Sequence, residues 1–158
     1  MKQDPLRFGI IGTSNIADIP RAPALQRVAG VTLWSVLSRE HARAEQFARK
    51  HGAMSPHPAY SDLSDFLSDP QLQAVIITSP DNLHGQHILQ RARAGKHVLV
   101  EKSLVTSHEE GAEIISACRK RDVKLGVSMH LRWHAAHRKL HPLILEDGVL
   151  GKLRHIRI

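Results

Sequence analysis

The 158-residue sequence is poor in cysteine and in aromatic residues, and it lacks a long apolar run. A single cysteine, Cys118, excludes an internal disulfide, so we interpret it as a small buried side chain in a reducing compartment. Without an apolar run of membrane length, and with a polar start, the sequence favours a cytoplasmic protein that is not exported. Because only 4% of the residues are aromatic but 42% are hydrophobic, the core must be built mainly from Ile, Leu, Val and Ala.

Acidic residues are also scarce relative to basic ones. The 22 Lys and Arg against 15 Asp and Glu give a formal net charge of +7. Such an excess is compatible with nucleic acid, an anionic membrane surface or an anionic small molecule. The basic residues form no long run and are not interleaved with aromatic residues, so we expect neither a nucleic-acid nor a membrane partner.

Apolar runs alternate with helical patterns along the whole chain. This alternation predicts an α/β fold with a doubly wound, Rossmann-type parallel sheet. Pro20 and Pro23 predict a break in the first helix after about Ile19. Strands are predicted at 8–11, 31–37, 74–78, 97–100 and 124–128, with a very short one near 58–60, and later helices at 40–51, 82–94, 107–121 and 130–146.

Several polar residues are predicted to cap these helices. We expect Ser61 to cap a helix that carries Leu63, Phe66 and Leu67 on one face, and Asp81 to cap the helix after the fourth main strand. Ser107 and Glu110 form a capping-box pattern. In the helix that follows, the residues predicted to face inward are Ala112, Ile115 and Cys118.

The turn after the first strand carries the spacing G-x-S-x-x-A. Gly12 allows a sharp turn, and Ala17 allows close packing of the following helix, whose free amides are suited to a pyrophosphate. Ser14 stands where this dinucleotide fingerprint has its second glycine. Its hydroxyl either donates a hydrogen bond to a phosphate oxygen or crowds the turn. An ordinary tight turn between a strand and a helix is the alternative interpretation.

Three further stretches occur with this turn: T-S-P-D-N-L-H from Thr78, A-G-K-H-V-L-V-E-K-S from Ala94, and Arg132 soon after the last main strand. Together they resemble the Gfo/Idh/MocA oxidoreductases over residues 7–158. Ser14 and Ser103 depart from the family pattern, which has glycine and proline at these places. The resemblance implies a nicotinamide cofactor bound by residues of four stretches: Gly12, Thr13, Ser14, Asn15 and Ile16; Ser38 and Arg39; Ser79, Pro80, Asn82 and His84; and Glu101, Lys102 and Arg132.

The residues after the second strand bear on the choice of cofactor. No acidic residue ends that strand to bind the ribose of NAD, whereas Ser38 and Arg39 offer a hydroxyl and a planar cation to a 2′-phosphate. The sequence therefore predicts NADP, with NAD as the alternative. Glu40 is interpreted as a first-turn carboxylate favoured by the helix dipole. A solvated surface side chain is the alternative for Arg39.

Two other stretches, which contain His84 and Glu101-Lys102, are expected to lie near the nicotinamide half of the cofactor. Lys102 is the main catalytic candidate, because an ammonium beside a reacting hydroxyl can polarise a carbonyl oxygen or pass on a proton. Glu101 is expected to position Lys102, and a surface ion pair is the alternative. By resemblance His84 lines the cofactor cleft, whereas a structural interpretation makes it an exposed helix residue.

A cluster of histidines follows the last main strand. His134, His137 and His141 fall on one predicted helix face, but no carboxylate or cysteine completes a ligand set, so we expect no metal site.

The sequence predicts one large domain followed by a short part of a second domain. Residues 1–130 form the dinucleotide-binding domain, and 131–158 form a connecting helix and the first strand of an α+β substrate domain. By resemblance that second domain supplies substrate contacts and most of a dimer interface, so a homo-oligomer acting on a sugar or polyol is expected. The chain is either a fragment of such an oxidoreductase or a shortened dinucleotide-binding module without catalysis. A scaffold that has lost nucleotide affinity is a third possibility.

Overall fold

A computed structural model describes residues 4–146, 148–149, 151–152 and 154–155. The chain divides into two compact units, Met1–Ser128 and Met129–Ile158. The first unit carries six strands: β1 (Leu6–Ile11), β2 (Val31–Leu37), β3 (Ala59–Tyr60), β4 (Ala74–Ile77), β5 (His97–Glu101) and β6 (Leu125–Ser128). The α-helices are α1 (Ala22–Arg27), α2 (His41–Lys50), α3 (Leu63–Ser68), α4 (His84–Arg93), α5 (His108–Lys120) and, in the second unit, α6 (Ala135–Leu145).

All six strands form one parallel sheet in the order β3-β2-β1-β4-β5-β6. The predicted doubly wound parallel sheet is therefore confirmed. β1 lies between β2 and β4, where the direction of the strand order reverses. In open parallel sheets a ligand binds beyond the carboxyl ends of the strands at this reversal. Among the described residues, no helix combines the length and the apolar character needed to cross a bilayer.

Two apolar layers cover the sheet. On one side Ala22 and Leu25 of α1 and Phe47 of α2 pack with buried strand residues such as Ile10 and Val36. On the other side the core combines strand residues with side chains of the other three helices of this unit, namely Phe66, Ile88, Ala92, Ile114 and Cys118. Cys118 is a buried free cysteine, as expected.

The first helical segment differs from its prediction. Residues 15–27 are continuously helical, and the expected break after Ile19 is absent from this described stretch. Ala17–Arg21 forms a π-helical turn that contains Pro20, and Pro23 lies in the first turn of α1. A wider turn accommodates a residue without an amide hydrogen, and proline is tolerated at a helix start.

Two of the predicted caps are wrong. Asp62, not Ser61, caps α3, because its side chain accepts a hydrogen bond from the Asp65 amide at 3.0 Å. Asp81 begins a 3-10 turn, Asp81–Leu83, and its side chain makes no cap there; α4 begins only at His84. Adjacent capping residues cannot be ranked from sequence, since the backbone direction decides which of them faces the free amides.

The orientation of α5 was predicted only in part. Ser107 accepts a hydrogen bond from the Glu110 amide at 3.1 Å, as its capping role requires. The buried face, however, is formed by Gly111, Ile114 and Cys118, whereas Ala112 and Ile115 are exposed. The inward face is therefore rotated from the predicted one, because the spacing i, i+3, i+7 follows a helix better than i, i+3, i+6.

The second unit begins with a 3-10 turn, His130–Trp133, and not with the predicted continuous helix. His134 is extended (φ −64°, ψ 130°) and precedes α6. The predicted strand at 152–158 falls largely outside the described residues; Lys152, Arg154 and His155, which are described, are not in a strand.

Candidate functional site

A cavity of about 550 Å³ opens at the carboxyl ends of β1, β2 and β4. Its walls combine the turn after β1, the end of β2, the start of α3, the turn after β4 and one face of α4. The lining residues are Ile11, Gly12, Thr13, Ser14, Leu37, Ser38, Arg39, Arg43, Ser61, Leu63, Thr78, Ser79, Pro80, Leu83, His87 and Arg91. The structure thus brings together seven residues expected to bind a cofactor: Gly12, Thr13, Ser14, Ser38, Arg39, Ser79 and Pro80.

The turn after β1 is held by hydrogen bonds to the ends of the two neighbouring strands. The Gly12 amide donates to the Leu37 carbonyl oxygen at 2.9 Å, and the Thr78 hydroxyl donates to the Ile11 carbonyl oxygen at 2.9 Å. Gly12 has φ +94°, and a Cβ there would lie 3.0 Å from Thr78 Oγ1. The Ser14 hydroxyl lies 3.4 Å from the Ala17 amide, so it faces the helix start as a weak cap. The Gly12 amide is therefore used within the fold, and Thr13 and Ser14 follow it along the cavity wall.

The end of β2 contributes the polar and cationic side chains. Ser38 is buried, with its amide bonded to the Tyr60 carbonyl oxygen at 3.0 Å, and Arg39 is exposed. Glu40 directly precedes α2 and lies 3.6 Å from Arg43. The sequence interpretation missed Arg43, although it stands four residues after Arg39, about one helical turn further along.

His84 occupies neither of its two predicted places. It is completely buried, so the expectation of an exposed helix residue is wrong, and it is not among the residues that line the cavity. Its Nδ1 lies 2.6 Å from the Ser103 carbonyl oxygen and its Nε2 lies 2.9 Å from that of Ser79. His84 therefore joins the turn after β4 to the loop after β5.

Glu101 pairs with a residue that the sequence interpretation missed. Arg21 donates from Nε to the Glu101 carboxylate and from Nη2 to the Ser128 hydroxyl. Glu101 is buried, whereas Lys102 is exposed. The expected pairing of Glu101 with Lys102 is absent, since successive side chains leave a strand on opposite sides. The peptide bond between Lys102 and Ser103 is cis.

Six other residues from the expected cofactor set do not line this cavity. Asn15, Ile16 and Asn82 are exposed residues close in sequence to residues that line the cavity. Glu101 and Lys102 lie at the end of β5, which is one strand further along the sheet than β4. Arg132 belongs to the second unit, where it is exposed in the 3-10 turn.

Two residues of α4 were missed altogether. His87 Nδ1 lies 2.8 Å from the Ser79 hydroxyl. Arg91 is only 1% exposed, and its Nη1 donates to the His87 carbonyl oxygen and to Gln90 Oε1, each at 2.9 Å. Burial lowers the pKa of Arg91 to about 10, so the guanidinium remains protonated at neutral pH. A sequence signal existed, because Leu83, His87 and Arg91 repeat at the spacing of one helix face.

The His87 side chain is neutral at physiological pH. Burial, followed by the charges of Arg91 and His84, lowers the pKa of His87 to about 4 from 6.5. Because the unfolded chain binds a proton at His87 near pH 6.5 and the folded chain does not, acidification favours the unfolded state.

We expect this histidine to make the free energy of unfolding decrease by about 2 kcal/mol between about pH 7.5 and pH 5. The measurement is urea unfolding at both pH values for the unmodified chain and for His87→Asn. The variant should lose about 2 kcal/mol less on acidification. His108→Asn, which removes an exposed histidine, is the control and should follow the unmodified chain. Identical pH dependence in both variants would contradict the assignment.

The histidines of the second unit form no metal-ligand cluster within the described part of the chain. The rings of His134 and His137 lie 5.2 Å apart, and His137 Nδ1 lies 3.0 Å from the Leu131 carbonyl oxygen. No group of three or more potential ligands occurs among the described residues.

The chain matches the model of the GFO_IDH_MocA family, described as an oxidoreductase family with an NAD-binding Rossmann fold, over residues 6–129. It is 34% identical over 146 residues to 1,5-anhydro-D-fructose reductase of Ensifer adhaerens, covering 92% of this chain and 42% of that protein. It is 29% identical over 153 residues to myo-inositol 2-dehydrogenase of Thermotoga maritima, covering 97% of this chain and 44% of that protein.

A solved structure shows the same fold. It is the crystal structure of a 3-ketoreductase from Actinomadura kijaniata in complex with TDP-benzene and NADP. The two chains superpose with a TM-score of 0.87 at 30% identity, covering 96% of this chain and 46% of that one. The chain thus spans less than half the length of these relatives. Since the family model covers most of the chain, it belongs to the Gfo/Idh/MocA family of oxidoreductases, of which residues 6–129 are the NAD-binding Rossmann fold.

Proposed function

We propose that this chain is the cofactor-binding part of an NADP-dependent oxidoreductase that acts on a hydroxyl or keto group of a sugar, polyol or related compound. The observation that carries the proposal is the cavity at the reversal of the strand order. The glycine turn and three arginines, Arg39, Arg43 and Arg91, line this cavity together. No Asp or Glu is among the lining residues that the structure describes. Such a cavity is suited to a ligand with several phosphate charges.

The residues present fit the two charged parts of NADP. The turn offers the backbone amides of Thr13 and Ser14 to the pyrophosphate, since that of Gly12 bonds to the Leu37 carbonyl oxygen, and the absence of a side chain at Gly12 allows close approach. Ser38 and Arg39 offer a hydroxyl and a guanidinium to the 2′-phosphate. Relatives support this choice, since the A. kijaniata 3-ketoreductase was crystallised with NADP. NAD is the alternative cofactor.

Lys102 is the residue to which we assign the proton chemistry. When bound, NADP supplies the hydride chemistry; the exposed Lys102 ammonium then polarises a carbonyl oxygen or holds the proton of the alcohol. Glu101 acts as a positioning residue, because its contact with Arg21 anchors the strand end from which Lys102 projects. Additional cofactor contacts are proposed for Asn15, Ile16, Asn82 and Arg132, whereas the buried His84 supports the cleft through its hydrogen bonds to the Ser79 and Ser103 carbonyl oxygens.

The wider proposals follow the family. Residues 1–130 serve as the cofactor domain and 131–158 lead into a substrate domain. The names of the relatives, which are reductases and dehydrogenases of sugars and a polyol, support a small-molecule substrate of that class. A cytoplasmic homo-oligomer without nucleic-acid or membrane partners completes the proposal.

The direct test is binding of the four nicotinamide dinucleotides to the chain. Unfolding is followed with NADP, NADPH, NAD or NADH present, and each dissociation constant is measured by fluorescence titration. A ligand at a hundredfold its dissociation constant stabilises the folded state by about 2.7 kcal/mol. Absence of stabilisation by all four dinucleotides would contradict the proposal and favour a scaffold without nucleotide affinity.

Arg39 is expected to determine much of the preference for NADP. Arg39→Ala removes a charge-assisted hydrogen bond to the 2′-phosphate, worth about 1.5 to 3 kcal/mol, so NADP binding should weaken by roughly 10- to 100-fold. NAD binding should change much less. Arg49→Ala is the matched control, since Arg49 is an exposed arginine of α2 that does not line this cavity. Tighter binding of NAD than of NADP by the unmodified chain would overturn this assignment.

A further inference from the structure

Arg91 is an unusual side chain for the interior of a helix layer. It lies near the end of α4, is 1% exposed, and has neighbours such as Ile88 and Ala92 that belong to the apolar core. Its hydrogen bonds go to two neutral groups of its own helix, the His87 carbonyl and the Gln90 side chain. Among the residues that the structure describes, its Nε has no hydrogen-bond partner.

The charge of Arg91 is not balanced within the described part of the chain. There, no carboxylate oxygen lies within 4.0 Å of its guanidinium nitrogens. Its neighbour His87 is neutral, as shown above, so it adds no charge of either sign. A buried guanidinium without a counter-charge is costly to keep in a core, because its hydration is lost and no ion pair replaces it. A ligand that brings negative charge would offset that cost.

The surroundings of Arg91 indicate where such a ligand binds. Arg91 lines the cavity from α4, whereas Arg39 and Arg43 line it from the end of β2 and from α2. Arg39 and Arg43 are exposed, and Arg43 lies 3.6 Å from Glu40, so Arg91 is the buried positive charge at a volume of about 550 Å³ that has no acidic lining residue among those described. In a volume of this size, charges interact strongly, since the walls exclude part of the solvent that would screen them.

We propose that Arg91 is a specificity-determining residue that favours NADP over NAD by stabilising the 2′-phosphate. This inference rests on the proposed dinucleotide binding. The backbone amides of the glycine turn already serve the pyrophosphate, which both dinucleotides contain. The 2′-phosphate adds about two negative charges that NAD lacks, and one exposed arginine balances only part of them. The buried Arg91 supplies the remaining positive charge from α4.

The test compares Arg91→Met with Arg93→Met in the full chain. Both substitutions remove one arginine charge from α4, but Arg93 is exposed and does not line the cavity. Dissociation constants are measured for NADP, NAD, 2′-AMP and 5′-AMP. We expect Arg91→Met to weaken the binding of NADP and 2′-AMP by about tenfold or more, and the binding of NAD and 5′-AMP by less than about threefold. Arg93→Met should change all four by less than about threefold.

Stability provides a second readout. Methionine fills a similar space without a buried charge, so Arg91→Met should unfold at an equal or higher urea concentration than the unmodified chain. If Arg91→Met does not fold, Arg91→Gln is measured in its place with the same expected change of the NADP to NAD ratio. Arg91→Lys, which keeps the positive charge, should retain more of the preference for NADP over NAD than Arg91→Met or Arg91→Gln.

Three results would overturn the proposal. The first is an equal loss of NADP and NAD in Arg91→Met, which would assign Arg91 to the shared part of the cofactor. The second is Arg91→Met binding both dinucleotides with unchanged dissociation constants. In both cases the unmodified chain still binds dinucleotides, so the proposed function stands. The third is an unmodified chain that binds neither dinucleotide, which would refute the proposed function together with this inference.

Discussion

Arg21→Met is expected to lower the free energy of unfolding by about 3 to 5 kcal/mol, the usual range for breaking a buried ion pair by removal of one partner. The Arg21 and Glu101 side chains are 21% and 8% exposed, and Arg21 also donates to the Ser128 hydroxyl. Without the guanidinium, the Glu101 carboxylate stays buried without a counter-charge. The measurement is urea unfolding near neutral pH.

The control for this prediction is Arg27→Met, which removes an exposed arginine from α1 and should change stability by less than about 0.5 kcal/mol. The double variant Arg21→Met with Glu101→Gln should recover much of the loss, because the unpaired charge is then removed as well. A loss below about 1 kcal/mol in Arg21→Met, or a double variant no more stable than the single one, would show that the pair contributes little.

Gly12→Ala is expected to reduce both stability and dinucleotide binding. A side chain at φ +94° costs about 1 to 2 kcal/mol, and the added Cβ, 3.0 Å from Thr78 Oγ1, disturbs the hydroxyl that bonds to the Ile11 carbonyl. The Cβ also separates the turn amides from the pyrophosphate. We expect NADP and NAD binding to weaken together, by about thirtyfold or more, which is about 2 kcal/mol.

Gly30→Ala is the matched control for that variant. Gly30 has φ +79°, but a Cβ there would meet nothing within 4 Å, and it lies before β2, away from the carboxyl ends of the strands. It should therefore show the backbone cost alone and bind NADP as the unmodified chain does. If Gly12→Ala binds NADP with unchanged affinity, the turn after β1 is not the pyrophosphate site.

The cavity residues that directly follow a strand could be predicted from the sequence. Gly12 and Ser14 in the turn after β1, Ser38 and Arg39 after β2, and Pro80 after β4 all follow a strand directly, and the carboxyl ends of parallel strands meet at one edge. Their position at the cavity therefore followed once the strands were recognised. Arg43 and Arg91 lie within helices instead, where sequence alone does not show which face is turned toward the site.

The roles of the buried polar residues depended on contacts between distant parts of the chain. Arg21 and Glu101 are 80 residues apart, and His84 reaches Ser103 over 19 residues. A sequence pattern shows which local structure a polar residue prefers, but not which group it meets after folding. The sequence therefore pairs Glu101 with its neighbour Lys102 and places His84 at the surface or in the cleft, whereas in the structure Glu101 contacts Arg21 and His84 contacts the carbonyl oxygens of Ser79 and Ser103.

The sequence by itself determined the order of strands and helices, because runs such as Ala-Val-Ile-Ile at 74–77 and the glycine turn at Gly12 carry their conformation locally. Tertiary structure alone decided the partner of Glu101 and the burial of Arg91. The physical reason is that burial and counter-charges depend on packing between elements far apart in the chain, whereas backbone conformation depends mainly on adjacent residues.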